Sequence, residues 1–154
     1  MYRTILVPMD GSKRAEAILS HVESIAKNNN AKVFFLKVEE ELIILERDEV
    51  HDIAKYHEVF AKQNERSQAY LDSLHARFSE NGIHAVTHLA FGSVVKAILN
   101  TAAETGTDLI AMATHGLSGL ARVSYGSVAA GVLQAADIPI LLIRSRSDKK
   151  EETC

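Results

Sequence analysis

The stretch of sequence best suited to chemistry runs from Ala113 to Ser127 and combines glycines with hydroxyl side chains. These residues are Thr114, Gly116, Ser118, Gly119, Gly126 and Ser127. Glycine allows backbone N–H groups to approach a ligand closely, and Ser127 opens an apolar, helix-like run whose first N–H groups would attract anions. The stretch therefore predicts a site for phosphate groups, and an ordinary turn with a capped helix start is the alternative.

The common phosphate-binding and catalytic motifs are absent from the sequence. There is no G-x-x-x-x-G-K-[ST] loop, because Gly11-Ser12-Lys13 has the wrong order and lacks the earlier glycine. No G-x-G-x-x-G follows the first apolar run, and no G-x-S-x-G or nucleophile beside a base is present. The pattern argues against a P-loop enzyme, a dinucleotide-binding fold and fast covalent catalysis.

Asp10 directly follows the apolar run Ile5–Met9, at what would be the binding edge of a parallel sheet. Its carboxylate could bind ribose hydroxyls or Mg²⁺, and the alternative is an Asx-turn that caps the first helix. A phosphate-accepting aspartate is not supported, because the third strand ends at Phe91 without an aspartate and the fifth ends in Arg144 instead of lysine.

The seven histidines of the sequence do not form a metal-binding pattern. His84 and His88 fall on one predicted strand about 13 Å apart, too far to share an ion whose ligands lie at about 2 Å. His115 lies in the glycine-rich stretch, where it could contact phosphate or hold the loop together by hydrogen bonds. No protein-built metal site is predicted.

Five apolar runs alternate with helix-like segments and must position these residues. The predicted strands are Ile5–Pro8, Val33–Val38, Ile83–Leu89, Asp108–Met112 and Ile138–Ile143. The predicted helices follow Ser12, cover about Ile53–Ser79, follow Gly92-Ser93 and run from about Ser127 to Ala136. The apolar island Leu42–Leu45 is expected in the core, with a lid over the ligand or a partner surface as the alternatives. This alternation predicts an α/β domain with a parallel sheet, helices on both faces and a ligand at the carboxyl ends of the strands.

Length and composition fit a single domain, since the chain has 154 residues and a net charge of −3. The domain is expected over residues 1–146, with a polar, disordered tail over 147–154. The charge argues against unaided nucleic-acid binding, and no run reaches the ~20 apolar residues of a membrane span. The lone cysteine, Cys154, and an N-terminus without a signal-peptide pattern favour a cytoplasmic protein.

The sequence resembles single-domain universal stress proteins over nearly its whole length. The resemblance rests on residues 5–12 (ILVPMDGS), 108–116 (DLIAMATHG), 126–129 (GSVA) and 138–144 (IPILLIR). It implies an open five-stranded parallel sheet of the adenine-nucleotide alpha-hydrolase-like, Rossmann-like type, with strand order 3-2-1-4-5. It also implies a homodimer through the fifth strand, Ile138 to Arg144, with the partner strand running antiparallel.

ATP-binding members of this family carry Gly-x-x-Gly, then nine residues, then Gly-Ser or Gly-Thr. The second glycine corresponds to Gly116, Leu117 to Tyr125 are the nine residues, and Gly126-Ser127 completes the pattern. Ala113 replaces the first glycine, where its Cβ could crowd a ribose or phosphate, or be accommodated if φ is negative. The implied nucleotide-binding residues are Pro8, Met9, Asp10, Val38, Met112, Ala113, His115, Gly116, Gly126, Ser127 and Val128.

The ligand that the resemblance implies is ATP, or AMP or ADP, with or without Mg²⁺. Asp10 would meet the ribose or the metal–phosphate region, and Val38 would face adenine. The implied function is a dimeric regulatory protein of the stress response with an unidentified protein partner. ATP hydrolysis would be slow at most, since no base to activate water is evident. A nucleotide-free dimeric interaction module, favoured by Ala113, and an enzyme acting on a nucleotide stay open as alternatives.

Overall fold

The computed structural model describes residues 1–40, 53–115 and 126–145, in which strands and helices alternate. The strands are β1 (Thr4–Met9), β2 (Lys32–Glu39), β3 (Ala85–Phe91), β4 (Leu109–His115) and β5 (Ile140–Ser145). The helices are α1 (Leu19–Asn29), preceded by a 3-10 helix (Ala15–Ile18), α2 (Ile53–Glu80), α3 (Val94–Thr105) and α4 (Ser127–Ala135). The predictions made for Leu42–Leu45, for Gly116 to Tyr125 and for the tail lie outside the described residues.

The five strands form one parallel sheet in the order β3-β2-β1-β4-β5, which confirms the predicted fold class and strand order. β1 lies at the centre, and its residues Ile5, Leu6 and Val7 are fully buried. A strand covered on both faces needs consecutive apolar residues, whereas the edge strand β3 exposes His88 and Phe91 to solvent.

Two apolar clusters cover the opposite faces of the sheet. One joins Ile5 and Val7 to α1 and α2, where Phe35 packs edge-on against Phe78 with ring centroids 4.8 Å apart. The other joins the alternate residue Leu6 to α3 and α4. Full burial of each large apolar side chain contributes about 1.5–3 kcal/mol relative to exposure, so these two layers fix the sheet between helices on both faces.

Pro8 lies inside the central strand, where a proline is unusual. β1 pairs with β2 from Thr4 to Met9, but within the described residues its pairing with β4 covers only Ile5 and Leu6. Proline has no N–H to donate, which explains why the ladder towards β4 ends before it. Within the described residues, β1 and β4 are thus not paired with each other at their carboxyl ends, where the strand order reverses and α/β sheets hold their ligands.

The connection from α2 to β3 moves the third strand two residues later than predicted. The N–H of Ile83 donates to the carbonyl of Phe78 at 3.0 Å, so Ile83 closes the end of α2 instead of starting the strand. Gly82 has a φ of +76°, the left-handed conformation that commonly follows the C-terminus of a helix. The strand therefore begins at Ala85.

Two other predicted boundaries shift for local reasons. β5 begins at Ile140 instead of Ile138, because Pro139 has no N–H and contributes only its carbonyl, which accepts the N–H of Ile110 at 3.0 Å. The first helix does not begin immediately after Ser12, since a 3-10 helix precedes α1.

Candidate functional site

A pocket of about 290 Å³ opens at the carboxyl ends of β1, β2 and β4, beside the first turn of α4. Nine of the residues implied by the family pattern line it, namely Pro8, Met9, Asp10, Val38, Met112, Ala113, Gly126, Ser127 and Val128. The other lining residues are Ser12, Arg14, Ala15, Leu36, Val94, Thr114 and Ala129. His115 is the last residue of β4, and its side chain, like Gly116, lies outside the described part of the chain.

One wall of the pocket is apolar and continuous with the protein core. Leu36 and Val38 come from β2, Val94 from the start of α3 and Met112 from β4. Leu36 and Met112 are buried members of the cluster beneath α3 and α4, and the two valines pack against it. Core packing therefore holds this wall in place, and its character suits a flat apolar ring.

The Asp10–Ser12 turn forms the polar side of the pocket. Asp10 Oδ1 accepts hydrogen bonds from the Ser12 N–H at 2.8 Å and the Ser12 hydroxyl at 2.6 Å. The Ser12 Oγ accepts the N–H of Ala15 at 3.2 Å, and Gly11 has a φ of +85°, which favours glycine. This is the Asx-turn that the sequence offered as the alternative role of Asp10. Because Asp10 also lines the pocket, the turn fixes a carboxylate at its wall.

Ala113 enters the pocket as an ordinary strand residue. It pairs with Ile143 of β5, and among the described non-glycine residues only Asn30 has a positive φ. Its side chain packs against the apolar cluster on the side of α1 and α2. The backbone here adopts a conformation open to any L-residue, so the alanine introduces no strain where the family pattern has glycine.

The first turn of α4 lines the pocket with residues whose backbone N–H groups make no hydrogen bond within the helix. Gly126 is the N-cap, and its carbonyl accepts the N–H of Ala130 at 3.0 Å, which is the first hydrogen bond of the helix. The N–H groups of Ser127, Val128 and Ala129 precede that bond and have no partner within the helix. These three residues line the pocket, so the positive end of the helix dipole favours an anion there.

A buried polar cluster joins β2 to α2 beside the Asp10–Ser12 turn. Lys37 Nζ donates to Glu39 Oε1 at 2.5 Å and to Ser67 Oγ at 2.9 Å. The Ser67 hydroxyl donates to Glu39 Oε1, and Gln63 Nε2 donates to Glu39 Oε2 at 2.7 Å. Burial raises the pKa of Glu39, but these hydrogen bonds and the Lys37 charge outweigh it and hold the pKa below its ordinary value.

This cluster also contacts the turn that carries Asp10. The Cε atom of Lys37 lies 3.4 Å from the position that a Cβ on Gly11 would occupy. Nearby, the hydroxyl of Tyr70 donates to Glu16 Oε1 at 3.2 Å. Burial raises the pKa of Tyr70, and the carboxylates of Glu16 and Asp10 raise it further, so the hydroxyl stays a neutral donor.

Sequence reasoning missed two charged features of this region. The buried cluster could have been found from two charged residues, Lys37 and Glu39, that stand at the end of an otherwise apolar strand. Arg14, which lines the pocket, gave no signal, because its place there depends on the 3-10 helix that follows it.

No metal site is present in residues 1–40, 53–115 and 126–145, where no three His, Cys, Asp or Glu side chains come together. His88 is exposed on β3, with its ring 6.5 Å from that of Phe34. Within the same ranges, every helix is too short or too polar to cross a membrane.

Known proteins of one family are similar to this chain over nearly its whole length. The family model described as Universal stress protein family matches residues 1–144. The universal stress protein YxiE of Bacillus subtilis is 29% identical over 149 residues, which cover 94% of this chain and 100% of YxiE.

Solved structures share this architecture. Protein MJ0577 of Methanocaldococcus jannaschii superposes with a TM-score of 0.79 at 25% identity, covering 96% of this chain and 99% of the other. A universal stress protein in complex with cAMP gives 0.70 at 23% identity, covering 94% and 98%. A family member from Arabidopsis thaliana with AMP bound gives 0.67 at 16% identity, covering 98% and 97%. These similarities establish the Rossmann-like α/β fold.

Proposed function

The chain belongs to the universal stress protein family, and from this premise we propose that its pocket binds an adenine nucleotide: ATP, ADP or AMP. The observation that carries the proposal is a pocket with one apolar and one polar wall at the carboxyl ends of β1 and β4, where these two strands no longer pair with each other. Structures of the same fold with cAMP and with AMP support it.

The apolar wall suits the adenine ring. Val38 and Met112 come from strands on either side of β1. A purine ring between them would bury its apolar faces against apolar side chains. Val94 covers the same wall from α3. Adenine selection would then come from backbone groups near Val38, since the side chains of this wall offer no hydrogen bonds.

The polar wall suits the ribose and phosphates. Asp10 stands where a carboxylate can accept hydrogen bonds from ribose hydroxyls. The N–H groups of the first turn of α4, from Ser127 on, can donate to phosphate oxygens. Mg²⁺, where present, would be held by the phosphates with Asp10 nearby and would neutralise phosphate charge. Ala113 does not oppose this arrangement, because its backbone is unstrained.

We further propose a homodimer through β5. This strand ends the sheet, pairs with β4 on one side and is rich in aliphatic residues. An unpaired edge of this kind is a template for another strand, and a second copy of the chain running antiparallel would complete it. The proposed dimer, located in the cytoplasm, would present a surface to a regulatory protein partner that changes with nucleotide occupancy.

A regulatory role fits the pocket better than rapid turnover. Among its described lining residues, Asp10 is the one carboxylate, and its Oδ1 already accepts two hydrogen bonds from Ser12. A general base for water would need a free, correctly placed group, so ATP hydrolysis would stay below about 1 per second.

The test begins with the purified protein. The chain has no tryptophan and four tyrosines, so bound nucleotide would move its absorbance strongly from 280 towards 260 nm. We expect this shift, or a heat of binding for ATP in calorimetry after the nucleotide has been removed. Absence of both would overturn the proposed function, and hydrolysis at enzyme-like rates would assign a catalytic role instead.

A further inference from the structure

Arg14 lines the polar side of the pocket, although the family's nucleotide-binding pattern gives it no role. It immediately precedes the 3-10 helix, with φ −62° and ψ −43°, and shares this side of the pocket with Asp10 and Ser12. Its neighbour Lys13 is also exposed but is not among the lining residues. Of the two adjacent cationic residues, only Arg14 is among the residues that line the pocket.

The charges around the pocket suggest a role for the Arg14 side chain in binding an anion. Among its described lining residues, Asp10 and Arg14 are the two that carry charge. The Asp10 carboxylate is held by the N–H and hydroxyl of Ser12, while the backbone donors at the start of α4 supply only partial positive charge. A nucleotide brings two to four negative charges, and a guanidinium can bind phosphate oxygens through two parallel hydrogen bonds.

We propose that Arg14 binds the phosphate chain of the nucleotide and makes the affinity of the site rise with the number of phosphates. This inference rests on the proposed function, because it assigns a specificity residue to the same pocket. Arg14 makes an intramolecular interaction in this structure, which the phosphates would share or replace.

A purely structural role for Arg14 makes a different prediction. An arginine that only shapes the pocket would affect every ligand of the adenosine series alike. An arginine that binds phosphate affects ATP and ADP strongly, AMP less and adenosine hardly at all. The dependence on phosphate number therefore separates the two roles.

The experiment is calorimetry of adenosine, AMP, ADP and ATP with the nucleotide-free protein and three variants. We expect Arg14→Ala to weaken ATP about 10- to 100-fold, as for loss of a charge-assisted hydrogen bond, and to leave adenosine within about twofold. Arg14→Lys keeps the charge but not the paired donors and is expected to lie between. Lys13→Ala removes the same charge from the adjacent residue and is expected to change ATP binding less than about twofold.

The outcomes distinguish failure of the Arg14 proposal from failure of the proposed nucleotide binding. If Arg14→Ala and Lys13→Ala weaken ATP equally, only the net charge matters and the role of Arg14 is overturned. If Arg14→Ala weakens adenosine as much as ATP, Arg14 shapes the pocket and does not bind phosphate. If the wild-type protein binds adenosine and AMP but gains nothing from further phosphates, the inference fails while the proposed function stands. If it binds none of the four ligands, both fail.

Discussion

Ala113 is the residue at which this chain lacks a glycine of the ATP-binding pattern. Its position inside β4, paired with Ile143, gives it the backbone of an ordinary strand residue. Its methyl group packs against the apolar cluster of the sheet while it also lines the pocket. The alanine methyl group therefore contributes to the core and to the wall of the pocket at once.

Replacing Ala113 by glycine tests this account. We expect Ala113→Gly to lower the free energy of unfolding by about 0.5–1 kcal/mol, because glycine loses more backbone entropy in a strand. ATP affinity is expected to stay within about threefold, measured by calorimetry. Ala111→Gly, in the same strand but away from the pocket, is the control for the stability loss. A tenfold or greater gain in ATP affinity for Ala113→Gly alone would show that the Cβ obstructs the site and would favour a nucleotide-free module.

At the scale of secondary-structure elements, the Lys37–Glu39 cluster anchors α2 to β2. Glu39 is 6% exposed and receives hydrogen bonds from Lys37, Ser67 and Gln63, two of which lie on the helix. A buried carboxylate with this many donors keeps its charge, and removing the charge would leave Lys37 buried without its counter-ion. The contact of Lys37 with the Gly11 turn extends this anchor to the pocket.

The pH dependence of stability follows from the lowered pKa of Glu39. Its contribution is fully present above the ordinary pKa of 4.5 and is lost as the pH falls below that value through the lower pKa of the folded chain. We expect Glu39→Gln to cost about 3 kcal/mol at pH 7 in urea unfolding followed by circular dichroism. The difference from wild type is expected to shrink as the pH is lowered below 4.5.

The matched control is the exposed ion pair between Glu23 and Arg77. Its N–O distance is 2.9 Å, but the side chains are 20% and 48% exposed. Glu23→Gln is expected to cost no more than about 1 kcal/mol at pH 7. An equal loss from Glu23→Gln and Glu39→Gln would contradict the anchoring role of the buried cluster.

The two edges of the sheet give the dimer proposal an internal comparison. Ile143 in β5 and Thr87 in β3 are both half-buried residues of edge strands. We expect Ile143→Lys to raise the dimer dissociation constant by at least about 100-fold, because lysine blocks pairing at a strand edge, and Thr87→Lys to leave the dimer intact. Analytical ultracentrifugation measures both. A wild-type monomer, or a dimer broken only by Thr87→Lys, would contradict assembly through β5.

The extent to which the sequence predicted these elements depended on how local their causes are. The apolar runs predicted all five strands, because a central strand such as β1 is buried on both faces and therefore consists of consecutive apolar residues. The boundary shift at Ile83 arose from one hydrogen bond to the end of α2, and the shift at Pro139 arose from the N–H that proline lacks. The Lys37–Ser67 contact joins residues 30 positions apart. Arg14 lies at the pocket because the 3-10 helix that follows it sets the course of the chain there. Neither arrangement follows from periodicity or from a motif.

At the scale of the whole molecule, the strand order brings three distant parts of the chain to one crevice. Pro8 ends the pairing of β1 with β4, and the Asp10 turn, the end of β2 and the start of α4 meet where the sheet is open. The apolar clusters on both faces of the sheet contain residues that also line the crevice. The fold thus supplies an apolar and a polar wall from elements that are far apart in sequence.

The most direct test of the central claim is a crystal structure of this chain grown or soaked with ATP. We expect electron density for adenine against Val38 and Met112, for ribose beside Asp10, and for phosphates at the start of α4 near Arg14. A pocket that stays empty at millimolar ATP, or a nucleotide bound elsewhere on the molecule, would contradict it.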